Sequence, residues 1–274
     1  MHIYVCTVMG LRGRPVPRPR FRVLVTGTAV GDALRLALST FTVVRVPGGR
    51  ADRRSAGRAV ELAPLVGCVV GILAAVVLYV ARHVFHDPFG FPMVGATVAI
   101  GTLAVLTGGR HLDGLAVTAS RTAGSLGAVV VVFLLLLQVG ALVVCVNNHR
   151  GTESLLLAVL VGRLAVVWAC TPAARVVTAD EFGALVAGTV RPVVALVLTA
   201  AIGAEAAIYG RFDTDAGTVA GSVRGLLAFA AGLTAAELLR RQAVRRLGGL
   251  TGHLLGAEVE VATTVVLLVM AASR

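Results

Sequence analysis

Seven apolar runs, 63–81, 93–109, 126–146, 154–170, 192–209, 217–238 and 254–272, approach the length at which a helix crosses a bilayer. A spanning helix needs about 20 mostly apolar residues. Hydrocarbon offers no water to peptide groups, so such runs must be helices. The most apolar lies at 126–146, with four valines, Phe133 and four leucines in succession from Val129 to Leu137. Composition agrees: 57% of residues are hydrophobic, 14% are charged and mean hydropathy is +0.89. Soluble domains carry about 45–50% apolar and about 25% charged residues. The chain reads as all-α, a polytopic integral membrane helical bundle of about seven transmembrane helices.

One further run, 23–46, carries Asp32 and Arg35 in its middle. Each would cost about 2.5–3.5 kcal/mol at the centre of a span, although at i, i+3 they can pair. This run is expected to be an interfacial or re-entrant helix, not a span. Residues 1–22, rich in Arg and Pro, have neither the long apolar core nor the small-residue cleavage site of a secretory signal. They read as a disordered basic arm, or as upstream sequence from a misassigned start, ahead of a single membrane domain at 23–274. Cys6, Cys68, Cys145 and Cys170 form no CxxC pair, and the last three read as small buried hydrophobes.

The net charge is +11, and all 25 basic residues are arginine. Nucleic-acid binding is the usual reading of such a charge. Here the arginines sit in short loops between apolar runs, which is the distribution of membrane topology and excludes that reading. With 47–62 placed in the cytoplasm, the cytoplasmic loops hold 12 arginines and the opposite side four. The bias sets the orientation. It gathers loops 110–124, 171–191 and 239–252 on the cytoplasmic face, and these carry nearly all the candidate chemistry.

The first candidate is Thr107-Gly108-Gly109-Arg110-His111-Leu112-Asp113-Gly114-Leu115-Ala116. It sets a His and a carboxylate among glycines at the end of an apolar run. Magnesium keeps several waters and binds through one or two carboxylates plus substrate phosphates. Asp113 could anchor such an ion. Equally, Asp113 could cap a helix while His111 sits among lipid headgroups.

The second candidate, Leu247-Gly248-Gly249-Leu250-Thr251-Gly252-His253-Leu254-Leu255-Gly256-Ala257, follows Arg240, Arg241, Arg245 and Arg246. Glycine backbone beside cations suits a phosphate; a basic stop signal followed by Gly252-xxx-Gly256 helix packing explains it as well. Arg163 lies inside the run 154–170, where a charge marks function by default. Of Glu205, Glu237, Glu258 and Glu260, the last is the partner chosen for it; a buried structural pair is the other reading. Gly67-xxx-Gly71 is read as packing, and Asp213 and Asp215 as solvated.

Together these elements resemble the adenosylcobinamide-GDP ribazoletransferase (cobalamin synthase) family. The resemblance runs from about Leu34 to Ala272. It includes the 36–43 segment, Pro64-Leu65-Val66-Gly67, the His-Leu-Asp-Gly-Leu-Ala motif and Gly162-Arg163. Pro172-Ala173-Ala174-Arg175, Gly183-Ala184-Leu185, and Leu-Gly-Gly-Leu-Thr-Gly with Glu260 complete it.

The resemblance implies a Mg²⁺-dependent transfer of the cobinamide phosphate of adenosylcobinamide-GDP to α-ribazole or its 5'-phosphate, with GMP released. His111 and Asp113 would be catalytic, with Asp113 holding the metal. Thr107, Gly108, Gly109, Gly114, Arg163, Arg175, Arg245, Arg246, Gly248, Gly249, Thr251, Gly252 and Glu260 would contact substrate. A bacterial inner membrane would house the protein, and other membrane enzymes of the same pathway are candidate partners.

Three departures stand out. The family motif continues with two further aspartates and a glycine; Val117, Ser120 and Arg121 stand there. A polar stretch that normally follows is missing before Gly124. His253 replaces a C-terminal aspartate. Asp180 and Glu181 are the nearby acids left to complete a site. Two other classes compete: a non-catalytic homologue serving as a binding or scaffold subunit, and a transporter using Arg163 with the intramembrane glutamates. The transporter reading lacks internal repeats or paired broken helices.

Overall fold

Every regular element in the computed structural model is helical, and the described residues are 29–47, 52–85, 90–172, 181–209 and 217–272, without the side chains of 29, 30, 82, 91, 123 and 181. The helices are α1 (Ala29–Phe41), α2 (Arg53–Glu61), α3 (Ala63–Val84), α4 (Gly90–Leu106), α5 (Arg110–Ala123) and α6 (Gly127–Asn147). After them come α7 (Gly151–Ala169), α8 (Glu181–Val186), α9 (Pro192–Tyr209), α10 (Thr218–Leu247) and α11 (Gly252–Ala272). Six of them, α3, α6, α7, α9, α10 and α11, are long and apolar enough to cross a membrane. The seventh expected span exists only as a bent pair, in which α4 and α5 meet at 87°.

That bend has a local cause. Gly108 and Gly109 adopt left-handed φ values of +65° and +66°. The Gly109 N–H donates to the Ala104 carbonyl at 2.8 Å, a bond that closes a helix and redirects the chain. The expected loop at 110–124 is therefore a helix, lying across the end of the bundle. Its buried side chains, His111, Leu115, Thr118 and Ala119, repeat with a helical period and mark its inward face. Charged and hydroxyl residues on the other face made it look like a loop. The same correction applies to 239–252: α10 runs on for 30 residues to Leu247, about 45 Å against a hydrocarbon thickness of about 30 Å. Only 248–251 is loop.

α7 and α11 form the buried centre, while α6 and α9 show most of their surface to the outside. Small residues allow the close approach that membrane packing depends on. On α3, a Cβ on Gly67 would lie 2.6 Å from Cγ of Arg163, and one on Gly71 would lie 2.9 Å from Leu156. Cys145 and Cys170 are fully buried and Cys68 half-buried, all with free thiols.

α1 has 13 residues, about 20 Å, too short to span. Asp32 is buried, with Arg35 4.0 Å away. The Arg110 guanidinium donates to the carbonyls of Ser39, Thr40 and Thr42, each at 2.8 Å. It thereby satisfies the bare C-terminus of α1 and fastens it to the start of α5. The arm 1–22, Cys6, Asp213 and Asp215 lie outside the described residues.

Candidate functional site

Two motifs separated by about half the chain meet where α5 crosses α11. Glycine makes the crossing tight: a Cβ on Gly114 would lie 3.0 Å from Cα of Gly256, and one on Gly256 would lie 3.1 Å from Cα of His111. The crossing brings the Asp113 carboxylate to 3.8 Å from Nε2 of His253. The Asp113 side chain is 70% exposed. It does not cap α5, whose N-cap is Gly109. It sits in the first turn, where a carboxylate is favoured by the helix dipole.

The other loops converge on the same end. The glycine-rich turn joins α10 to α11: Gly248 caps α10 in the left-handed region at φ +84°, and the Thr251 hydroxyl accepts from the Leu254 N–H at 3.1 Å, capping α11. Thr251 is 1% exposed, so its hydroxyl serves the helix. From α8, Gly183 packs directly on the backbone of Leu250 and Thr251. Arg53 of α2 donates to the carbonyls of Ala184 and Ala187. Arg191 pairs with Glu61 at 3.0 Å. At the far end of α5, Arg246 donates to the Thr122 carbonyl at 2.8 Å, with Arg245 exposed beside it. Arg240 and Arg241 are engaged with Glu237 at 2.7 and 2.6 Å. Arg175 and Asp180 lie outside the described residues, as does the Glu181 side chain.

The remaining candidates sit beneath this surface. His111 is 7% exposed and Arg163 3%. They turn inward to a pocket that they line with Thr107, Gln138, Glu260 and Thr263. The structure thus separates His111 from Asp113, which points outward, and places Arg163 and Glu260 together as chosen. The cavity volume is about 20 Å³; one water needs about 10–15 Å³. A nucleotide does not fit there. Thr107 is buried as well, its hydroxyl donating to the Leu103 carbonyl at 2.8 Å.

Sequence reasoning missed two residues. Gln138 donates to Glu260 at 2.9 Å and to Thr264 at 3.0 Å. A lone amide within the most apolar run was the signal that could have found it. Arg110 carries the α1 clamp, which nothing in the sequence announces; Gly67, read as packing, does pack, making room for the stem of Arg163.

Among the described residues, no group of three or more His, Cys, Asp or Glu side chains gathers to hold a metal. One exposed carboxylate fits an ion arriving with a diphosphate, not a protein-built cage. Val117 and Ser120 share the face of α5 that bears Asp113, at i+4 and i+7.

The family model for cobalamin-5-phosphate synthase matches residues 33–120 and 117–271. A protein of Frankia casuarinae named adenosylcobinamide-GDP ribazoletransferase is 39% identical, over 86% of this chain and 93% of its own length. Relatives of the same name from a Nocardioides species (33%; 88% and 99%) and Pseudomonas fluorescens (32%; 82% and 92%) are similar. No solved structure matches the chain. The Frankia alignment runs over 259 positions yet takes up only 86% of these 274 residues, so that relative carries residues absent here. The two parts of the family match meet at 117–120, on α5, next to the three-residue link from Ala123 to Gly127. The chain belongs to the cobalamin-5-phosphate synthase family.

Proposed function

We propose that this protein is a membrane-embedded transferase that joins the cobinamide phosphate of adenosylcobinamide-GDP to α-ribazole or its 5'-phosphate. The observation that carries this reading is the exposed Asp113 on α5, held beside the C-terminal glycine-rich element in a chain similar over most of its length to enzymes of that name. In the reaction, the acceptor hydroxyl attacks the cobinamide-side phosphorus. A new P–O bond forms, the phosphoanhydride bond breaks, GMP leaves with the bonding pair, and the hydroxyl proton passes to solvent. Displacement at phosphorus depends mostly on positioning and on stabilising charge.

The chain's own residues divide that work. Arg245 and Arg246, at the end of α10, supply guanidinium groups for phosphate oxygens. Asp113 projects from the rigid crossing of α5 and α11 towards the same surface. Were Mg²⁺ to bind, Asp113 would hold it, and the ion would neutralise charge on the departing phosphate. His111 positions α5 from below. The site faces the cytoplasm in an inner membrane, a reading supported by the arginine bias. The substrate is polar and enters from that side.

The test is GMP release from adenosylcobinamide-GDP by the purified protein with α-ribazole, with and without Mg²⁺. Turnover abolished by Asp113→Ala supports the reading. Substrate binding with no turnover, converted to turnover by Val117→Asp with Ser120→Asp, would mark a binding subunit instead. Movement of a cobamide precursor across liposomes without GMP release would mark a transporter.

A further inference from the structure

The pocket under the α4–α5 bend holds two buried nitrogens with no partner, Nε2 of His111 and Nε of Arg163. They come from different helices, α5 and α7. The third polar wall is Glu260 of α11, one of whose oxygens is already occupied by Gln138. Buried polar groups in folded proteins are nearly all hydrogen-bonded, and those that lack a protein partner are commonly served by ordered water. The cavity between these groups, about 20 Å³, has room for an ordered water.

We infer that the pocket binds a structural water bridging His111, Arg163 and Glu260, and that His111 and Arg163 thereby act as positioning residues for Asp113. The hydrogen bonding balances. Arg163 Nε can only donate, so the water accepts from it. The water's two protons then go to His111 Nε2 and to the second Glu260 oxygen. Such a bridge ties the helix bearing Asp113 to the two most buried helices of the bundle. It restrains the direction that Gly108 and Gly109, with left-handed backbone and no side chains, leave free.

The first arm of the test needs no variant and no substrate. An experimental density map of the wild-type protein, fine enough to show ordered water, is expected to contain a peak within hydrogen-bond distance of His111 Nε2 and Arg163 Nε. Direct contact between those side chains, or a dry pocket, would overturn the inference. The second arm rests on the transferase reading and uses a double-mutant cycle in GMP release. His111→Leu and Arg163→Met are each expected to lower kcat about tenfold with KM little changed, and the double variant to lose no more than either alone. His111→Gln, which keeps a polar nitrogen near the same place, is expected to restore most of the rate. Losses that multiply, or a His111→Gln variant as poor as His111→Leu, would sink the bridge. A wild-type protein that releases no GMP but shows the peak would defeat the transferase reading alone.

Discussion

Gly114 of α5 and Gly256 of α11 face each other so closely that a Cβ on the first would stand 3.0 Å from Cα of the second. This contact sets the distance between the Asp-bearing helix and the glycine-rich turn. The obstructing atoms are backbone and cannot swing aside. Gly114→Ala is expected to destabilise the protein by about 1–3 kcal/mol through overpacking, read as a lower Tm in detergent. GMP release should fall further than stability alone accounts for, because Asp113 is displaced.

Asp113 and His253 offer one carboxylate and one imidazole 3.8 Å apart. His253→Asp would set two carboxylates there, a better donor set for a hard cation. The variant is expected to bind Mn²⁺ more tightly than wild type in an electron paramagnetic resonance titration. Adding Asp113→Ala should cancel the gain. Unchanged Mn²⁺ affinity would show that the two positions do not share an ion.

Gln138 donates to Glu260 and Thr264 in the protein interior. Gln138→Leu keeps the bulk but leaves a Glu260 oxygen without its donor. The expected cost is about 1–3 kcal/mol, measured by thermal unfolding. Pairing it with Glu260→Leu should recover part of the loss, since the stranded acceptor is then gone.

Arg246 donates to the Thr122 carbonyl and, in the proposed function, also serves a substrate phosphate. Arg246→Ala is expected to raise KM for adenosylcobinamide-GDP several-fold and to flatten its dependence on ionic strength. A change in Tm with KM untouched would leave Arg246 as a helix cap alone.

In the proposed orientation, which rests on the arginine bias, the α5–α6 link faces the cytoplasm. Ser125 is exposed in that link. Ser125→Cys, in a background lacking the native cysteines, is therefore expected to react with a membrane-impermeant thiol reagent only after the inner membrane is opened. Labelling in intact spheroplasts would reverse the orientation.

Much of the site was legible in the chain because chemistry under membrane constraint leaves few alternatives. A carboxylate among glycines after an apolar run, and an Arg inside one, stand out against hydrocarbon. Asp113, Arg163 and Glu260 were picked out as candidates that way, and the structure brings Arg163 and Glu260 to one pocket. Legibility failed where a residue's meaning depends on its neighbour across the bundle. Gln138 reads as one polar residue until Glu260 is seen beside it, and Thr251 reads as a ligand contact until its bond to Leu254 is seen. His111 and Asp113, two positions apart, looked like one constellation, but helical rotation turns one inward and the other outward.

Hydropathy by itself determined the all-helical class and six of the seven spans it suggested, and charge marked the arginine-rich end, because burying bare peptide groups or charge in lipid costs more than any local preference can offset. It could not determine the 87° turn at Gly108 and Gly109, which swings α5 across the bundle. Glycine allows such a turn without requiring it, and the packing of α5 on α11 selects it. That packing decided which candidates face solvent with Asp113 and which join Arg163 beneath it.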